Sequence, residues 1–79
     1  MVIDVRMPKL GLSEAEMILV TWEKSPGDPI AVGDIIATVE GEKLTNNIEA
    51  ETDGILGEHL VGQGDEVAIN TLLTTIIKQ

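Results

Sequence analysis

The chain has 79 residues, no cysteine, a formal net charge of −9, and 43% hydrophobic residues that are nearly all aliphatic. That length suits one domain, residues 1–79, held together by apolar packing alone, because disulfides and thiolate zinc sites both need cysteine. The acidic balance argues against sequence-independent binding to nucleic acid or to an anionic membrane surface, each of which takes clustered Lys and Arg.

In chain order, Val2–Met7 opens with period-two alternation, Ile3, Val5 and Met7 against Asp4 and Arg6. Such alternation in a short run predicts a half-buried strand. Glu16–Trp22 is a nearly continuous β-branched apolar run, as expected of a central strand. The turn residues Pro26-Gly27-Asp28-Pro29 and Gly33-Asp34 follow. Ile35–Glu40 is predicted to turn Ile35, Ala37 and Val39 to one face and Ile36, Thr38 and Glu40 to the other. Beyond a turn at Gly41-Glu42, Leu44–Glu51 alternates Leu44, Asn46, Ile48 and Ala50 with polar residues. Turns at Asp53-Gly54 and Gly62–Asp65 lead to a last strand, Thr71–Ile77. No stretch carries helical spacing with caps, so the class is all-β. No apolar run is long enough to cross a bilayer and no signal-peptide pattern precedes the first strand, so a soluble, cytoplasmic chain is expected.

A shift of 37 positions aligns residues 16–39 with 53–76. Ile18/Ile55, Leu19/Leu56, Gly27/Gly64, Asp28/Asp65, Ala31/Ala68 and Thr38/Thr75 are identical, and most other apolar positions match in kind. Two similar β-halves, each unable to bury its apolar face alone, predict a pseudo-two-fold sandwich or flattened barrel of two four-stranded antiparallel sheets. One copy runs into Glu40-Gly41-Glu42-Lys43 and the other into Lys78-Gln79. A two-fold axis would therefore place the Lys43 turn and the chain end at equivalent positions on opposite ends of the molecule.

Catalytic chemistry is sparse. His59 is the only histidine and sits in a strand pattern, where it reads as a sheet-surface residue. Gly62-Gln63-Gly64 is followed by Asp65 and Glu66, which would repel a phosphate, so it reads as a turn. No calcium-loop spacing occurs and no metal site is expected. Trp22, the sole aromatic, reads as core or half-buried packing. Lys43 stands out among Glu40, Glu42, Glu49 and Glu51 in a chain with five basic residues.

The segments "MPKLGLSEAE", "PGDPIAVGDIIATVE", "EKLTNNIEA", "TDGIL" and "GQGDEVAINTLLTTI" follow one another in an order and spacing that resemble the biotinyl/lipoyl carrier family, in its lipoyl branch. The likeness is to the lipoyl domain of the acyltransferase (E2) of 2-oxo acid dehydrogenase complexes. It implies a barrel-sandwich hybrid that carries lipoic acid, amide-linked to Lys43 at a hairpin tip and flanked by Gly41, Glu42 and Leu44. Here Glu-Gly-Glu-Lys-Leu stands where Glu-Thr-Asp-Lys-Ala is usual. The resemblance also implies that Gly11, Leu12, Ser13, Glu14 and Ala15 form a loop beside the tip that helps the decarboxylase recognise the domain.

The implied partners are the thiamine-diphosphate-dependent decarboxylase (E1), the acyltransferase core (E2), the dihydrolipoyl dehydrogenase (E3) and a lipoate ligase or lipoyl transferase. The domain itself would be non-catalytic. A swinging arm also leads one to expect a rigid base, an exposed amine and no nearby groove to hold the arm. The alternatives are a biotin carrier, whose lysine is flanked by methionines, and an unmodified structural module, which usually lacks the lysine.

Overall fold

The computed structural model describes residues 1–9, 16–41 and 45–78 and contains eight strands among them. These are β1 (Val2–Arg6), β2 (Glu16–Trp22), β3 (Pro29–Ile30), β4 (Ile35–Glu40), β5 (Thr45–Glu49), β6 (Gly54–Leu56), β7 (Glu66–Ala68) and β8 (Leu72–Ile77). They form two four-stranded sheets in the orders β1-β8-β6-β3 and β5-β4-β2-β7, with every pairing antiparallel. The all-β, two-sheet architecture expected from the sequence is present. The sheets stay separate, so the molecule is a sandwich and not a closed barrel.

The two sheet orders are images of one another. Advancing by 37 residues carries β2 onto β6, β3 onto β7 and β4 onto β8, and β1 corresponds to β5. The hydrogen bonds repeat with the strands. Gly27 N donates to Leu56 O at 2.8 Å, and Gly64 N donates to Leu19 O at 2.7 Å. Ser25 N and Gly62 N each donate to the aspartate three residues on, Asp28 at 2.8 Å and Asp65 at 2.7 Å. Gly33 and Asn70, also equivalent, both hold a left-handed backbone, at φ 90° and 74°. Asparagine is among the few residues other than glycine that occupy this region readily.

Trp22 and His59 are equivalent positions too, and they meet face to face across the pseudo-axis. Their ring centroids lie 3.9 Å apart at an interplanar angle of 6°. Trp22 Nε1 donates to Val61 O at 3.0 Å, and His59 Nε2 donates to Lys24 O at 2.8 Å. His59 is therefore not in a strand or on a sheet surface. It is a half-buried member of a stacked pair in an irregular segment. The sequence pattern suggested a strand because β6 ends only three residues earlier.

The core lies between the sheets and is aliphatic: Leu19, Ile36, Val39, Leu56, Val67, Leu73 and Ile76 are among its fully buried side chains. The alternation expected for β4 does not hold. Ile36 and Ala37 are both buried while Ile35 is exposed, because the β4–β5 register skips Ile36. A bulge puts two consecutive residues opposite one and shifts the phase of the pleat. The β1–β8 register skips Leu73, the counterpart of Ile36, so the same irregularity occurs in both halves.

Candidate functional site

β4 and β5 form a hairpin whose closing rung pairs Glu40 with Thr45. Residues 41–44 connect them. Gly41 is half-exposed, and the predicted residues Glu42, Lys43 and Leu44 lie outside the described residues. The topology still fixes which end of the molecule carries the connection. β5 runs away from the rung, and the chain reaches Thr52 seven residues later, up to ~24 Å of extended backbone. There Lys78 Nζ donates to Thr52 Oγ1 at 2.9 Å and pairs with Asp53 at 3.2 Å. Met1 and Lys78 exchange backbone hydrogen bonds beside them. The 41–44 connection and the Met1–Lys78 junction thus sit at opposite ends of a molecule 36 Å long.

The second predicted element, Gly11–Ala15, also lies outside the described residues. Its point of entry into the fold is defined. Ile18 pairs with Glu40, the last residue of β4, so Glu16 lies two residues beyond that strand's end. The 10–15 segment accordingly joins β2 at the same end of the sandwich as the hairpin connection.

Among the described lysines, Lys24 and Lys78 each reach a carboxylate, Asp34 at 3.9 Å and Asp53 at 3.2 Å. The hairpin end is acidic on its outer face. A row across the four strands reads Thr45, Glu40, Ile18, Glu66, while the equivalent row at the far end reads Val2, Ile77, Ile55, Pro29. Neither row was visible in the sequence, because its members are scattered along the chain and meet only once the register is known. No group of metal-ligating side chains occurs among the described residues.

Two further features of the site were missed. Asn46, one rung in from the closing pair, turns its side chain inward, and its Nδ2 is buried with no hydrogen-bond partner among the described residues. Its counterpart in the other half is Ile3, paired with Ile76 as Asn46 is paired with Val39. A buried orphan donor costs about 1–3 kcal/mol. Asn46→Ile, which copies the Ile3 arrangement, is expected to raise unfolding free energy by about 1–2 kcal/mol. Urea denaturation checks this, and an unchanged or lower midpoint would contradict it. The other feature is a groove of about 710 Å³ between the edge strands β1 and β5, where no groove was expected.

A protein-family model described as "Biotin-requiring enzyme" matches residues 3–76. The chain is 34% identical over 73 residues to the dihydrolipoyllysine-residue succinyltransferase component of the 2-oxoglutarate dehydrogenase complex of Azotobacter vinelandii, covering 92% of this chain and 18% of that protein. It is 37% identical over 76 residues to the dihydrolipoyllysine-residue acetyltransferase component of the acetoin cleaving system of Bacillus subtilis, covering 96% of this chain and 19% of that one. It therefore spans under a fifth of the length of these relatives. Among solved structures, the lipoyl domain of the 2-oxoglutarate dehydrogenase complex of Azotobacter vinelandii superposes with a TM-score of 0.79 at 30% identity, covering 96% of both chains. With sheet order, hairpin and internal symmetry in place, the chain belongs to the biotinyl/lipoyl carrier family and, within it, to the lipoyl domains.

Proposed function

We propose that residues 1–79 form a swinging-arm carrier domain with lipoic acid amide-linked to Lys43. The observation that carries this reading is the Glu40–Thr45 closing rung, which brackets Lys43 in the chain and lies at the end of the sandwich remote from Met1 and Lys78. A group mounted there would project from a base whose four-stranded sheets are fixed by a buried aliphatic core. Of the other lysines, Lys24 and Lys78 face carboxylates, and Lys9 is exposed beyond the end of β1.

Once attached, lipoic acid would supply a dithiolane that carries acyl groups and reducing equivalents between the decarboxylase, acyltransferase and dihydrolipoyl dehydrogenase sites. The protein supplies the tether, which raises the local concentration of the group at each site without adding contacts. Glu40 and Glu66 beside Ile18 give the lysine end an acidic face, suited to active-site entrances of opposite charge. Gly11–Ala15, which precede β2 in the chain, would contribute to recognition by the decarboxylase. The domain is the non-catalytic carrier part of a dihydrolipoamide acyltransferase, acting in the cytoplasm.

The test is intact-mass measurement after coexpression with a lipoate ligase and lipoate. The expected result is a gain of one lipoyl group, mapped to Lys43 by peptide analysis. A wild-type chain that gains no mass would overturn the reading. Capture by avidin would transfer it to the biotin carriers, although Glu42 and Leu44, not methionines, flank this lysine.

A further inference from the structure

β1 and β5 are the outermost strands of their sheets, and each leaves one side of its backbone unpaired. The hydrogen bonds at their ends show which residues face that side. Ala50 N donates to Asp34 O at 2.8 Å, and the Ala50 carbonyl accepts from Gly33 N at 2.9 Å, so both groups turn toward β4. In an antiparallel pair this direction alternates along the strand. Ile48 therefore bonds toward Ala37, while Asn47 and Glu49 turn N–H and C=O to the open edge. Met1, bonded to Lys78, and Met7, bonded to Asn70 and Thr71, leave Asp4 and Arg6 open on β1 in the same way. The other two edges, β3 and β7, are only two and three residues long.

These two open edges flank the groove of about 710 Å³, whose lining mixes charged and aliphatic side chains. The charged part has a sign. Asp4 and Arg6 neutralise each other at 3.0 Å, whereas Glu49 and Glu51 pair with no cation among the described residues. Asn47, Glu49 and Glu51 are all exposed, and residues 47–52 offer about 20 Å of chain. Carboxylates along an edge repel another acidic strand, including one from a second copy of this chain at net −9. They leave the same edge open to a strand of opposite charge.

We propose that the β5 edge binds an extended segment of a partner protein with a basic residue at every second position, added as a fifth, antiparallel strand of the sheet. The basic side chains lie on the outer face, opposite Asn47 and Glu49 and within reach of Glu51. The alternate side chains turn toward Ile3 and Val5, which are only partly buried. A residue directly opposite Glu49 shares its hydrogen-bonding phase, so the N–H groups of the basic residues are the ones that bond to β5. Backbone bonds hold the segment, and the two carboxylates select it. The site uses nothing of residues 42–44 and is independent of lipoylation.

The experiment titrates the unmodified domain with the peptide acetyl-Lys-Val-Lys-Val-Lys-amide and follows the backbone amide signals by NMR. The amides of Asn47 and Glu49 are expected to move most. Methylating the peptide's backbone nitrogens at its lysines should abolish binding. Methylating them at its valines, whose N–H groups point away from β5, should change affinity by no more than about twofold. Glu49→Gln together with Glu51→Gln should weaken binding about fivefold, as the loss of two exposed ion pairs predicts, and an otherwise unchanged amide spectrum shows that the fold is kept. Binding that survives methylation at the lysines would be adhesion by charge alone and overturns the proposal. So would largest shifts at Glu40, Ile18 and Glu66, the acidic row at the hairpin end. Asn47 and Glu49 signals that move with protein concentration when no peptide is present would make the occupant a second copy, and they too overturn it.

Discussion

Lys43→Arg should leave the domain folded and wholly unmodified. Arginine retains the positive charge in the 41–44 connection, but its guanidinium stays protonated at any working pH and is no acceptor for the lipoyl group. Lysine presents a primary amine that forms the amide once deprotonated. The buried side chains that hold the two sheets together, Leu19, Ile36, Val39, Leu56, Leu73 and Ile76, all lie on strands outside the connection. The melting temperature is accordingly expected within about 2 °C of wild type, in line with the small effect of substitutions away from cores and caps. Intact mass after coexpression with ligase and lipoate gives the readout, with wild type as the positive control. A variant that still gains one lipoyl group would show that another amine is the acceptor and remove Lys43 from the site.

Gly54→Ala should have the largest effect on stability. Gly54 opens β6 at φ +151°, where it pairs with Ile30. A Cβ added there would stand 2.5 Å from the carbonyl oxygen of Ile77 and 2.7 Å from Cγ2 of Ile76. The first neighbour is backbone in the adjacent strand, so relief requires β6 and β8 to separate. Those strands meet through Ile55 and Leu56 against Ile77 and Ile76, and Leu56 and Ile76 are core residues. Backbone strain of about 1–3 kcal/mol adds to the loss of that packing, giving an expected cost of about 3–4 kcal/mol. For a domain of this size that lowers the melting temperature by roughly 12–32 °C. Gly62→Ala is the control, because its added Cβ meets nothing nearer than the Asp65 carboxylate at 3.4 Å. Calorimetry of the two variants decides the matter, and a Gly54→Ala melt within about 3 °C of wild type would contradict it.

Much of the fold was legible because the chain states it twice. The 37-residue repeat predicted paired halves, and the reciprocal bonds of Gly27 with Leu56 and Gly64 with Leu19 are its physical form. Strands β3 and β7 were not legible as strands, since two or three residues are too few to display a period. The bulges at Ile36 and Leu73 were hidden for a related reason. A change of phase shows only when the partner strand's register is known. His59 was misplaced because its partner, Trp22, is 37 residues away and the stack depends on the fold's symmetry.

The proposed site rests on a lysine in acidic surroundings between two strand patterns. The topology adds at which end of the molecule β4 and β5 are closed and that β2 starts beside them. The orphaned Asn46 and the groove along β5 needed coordinates, because burial and an open strand edge are properties of the assembled sheets.

The correspondence between the 41–44 connection and the Met1–Lys78 junction has a consequence for chain order. In one half of the fold the two strands are joined by a short loop, and in the other the same two strands are joined only by hydrogen bonds across a gap. Linking Lys78 to Met1 with a few residues and opening the chain between Glu40 and Thr45 would keep every rung of both sheets. The permuted protein would begin with β5 and end with β4, and the new link would occupy the place that the lysine connection holds here. A lysine built into that link would lie at the opposite pole, so the frame determines where a connection can be, while the sequence determines which connection carries a lysine.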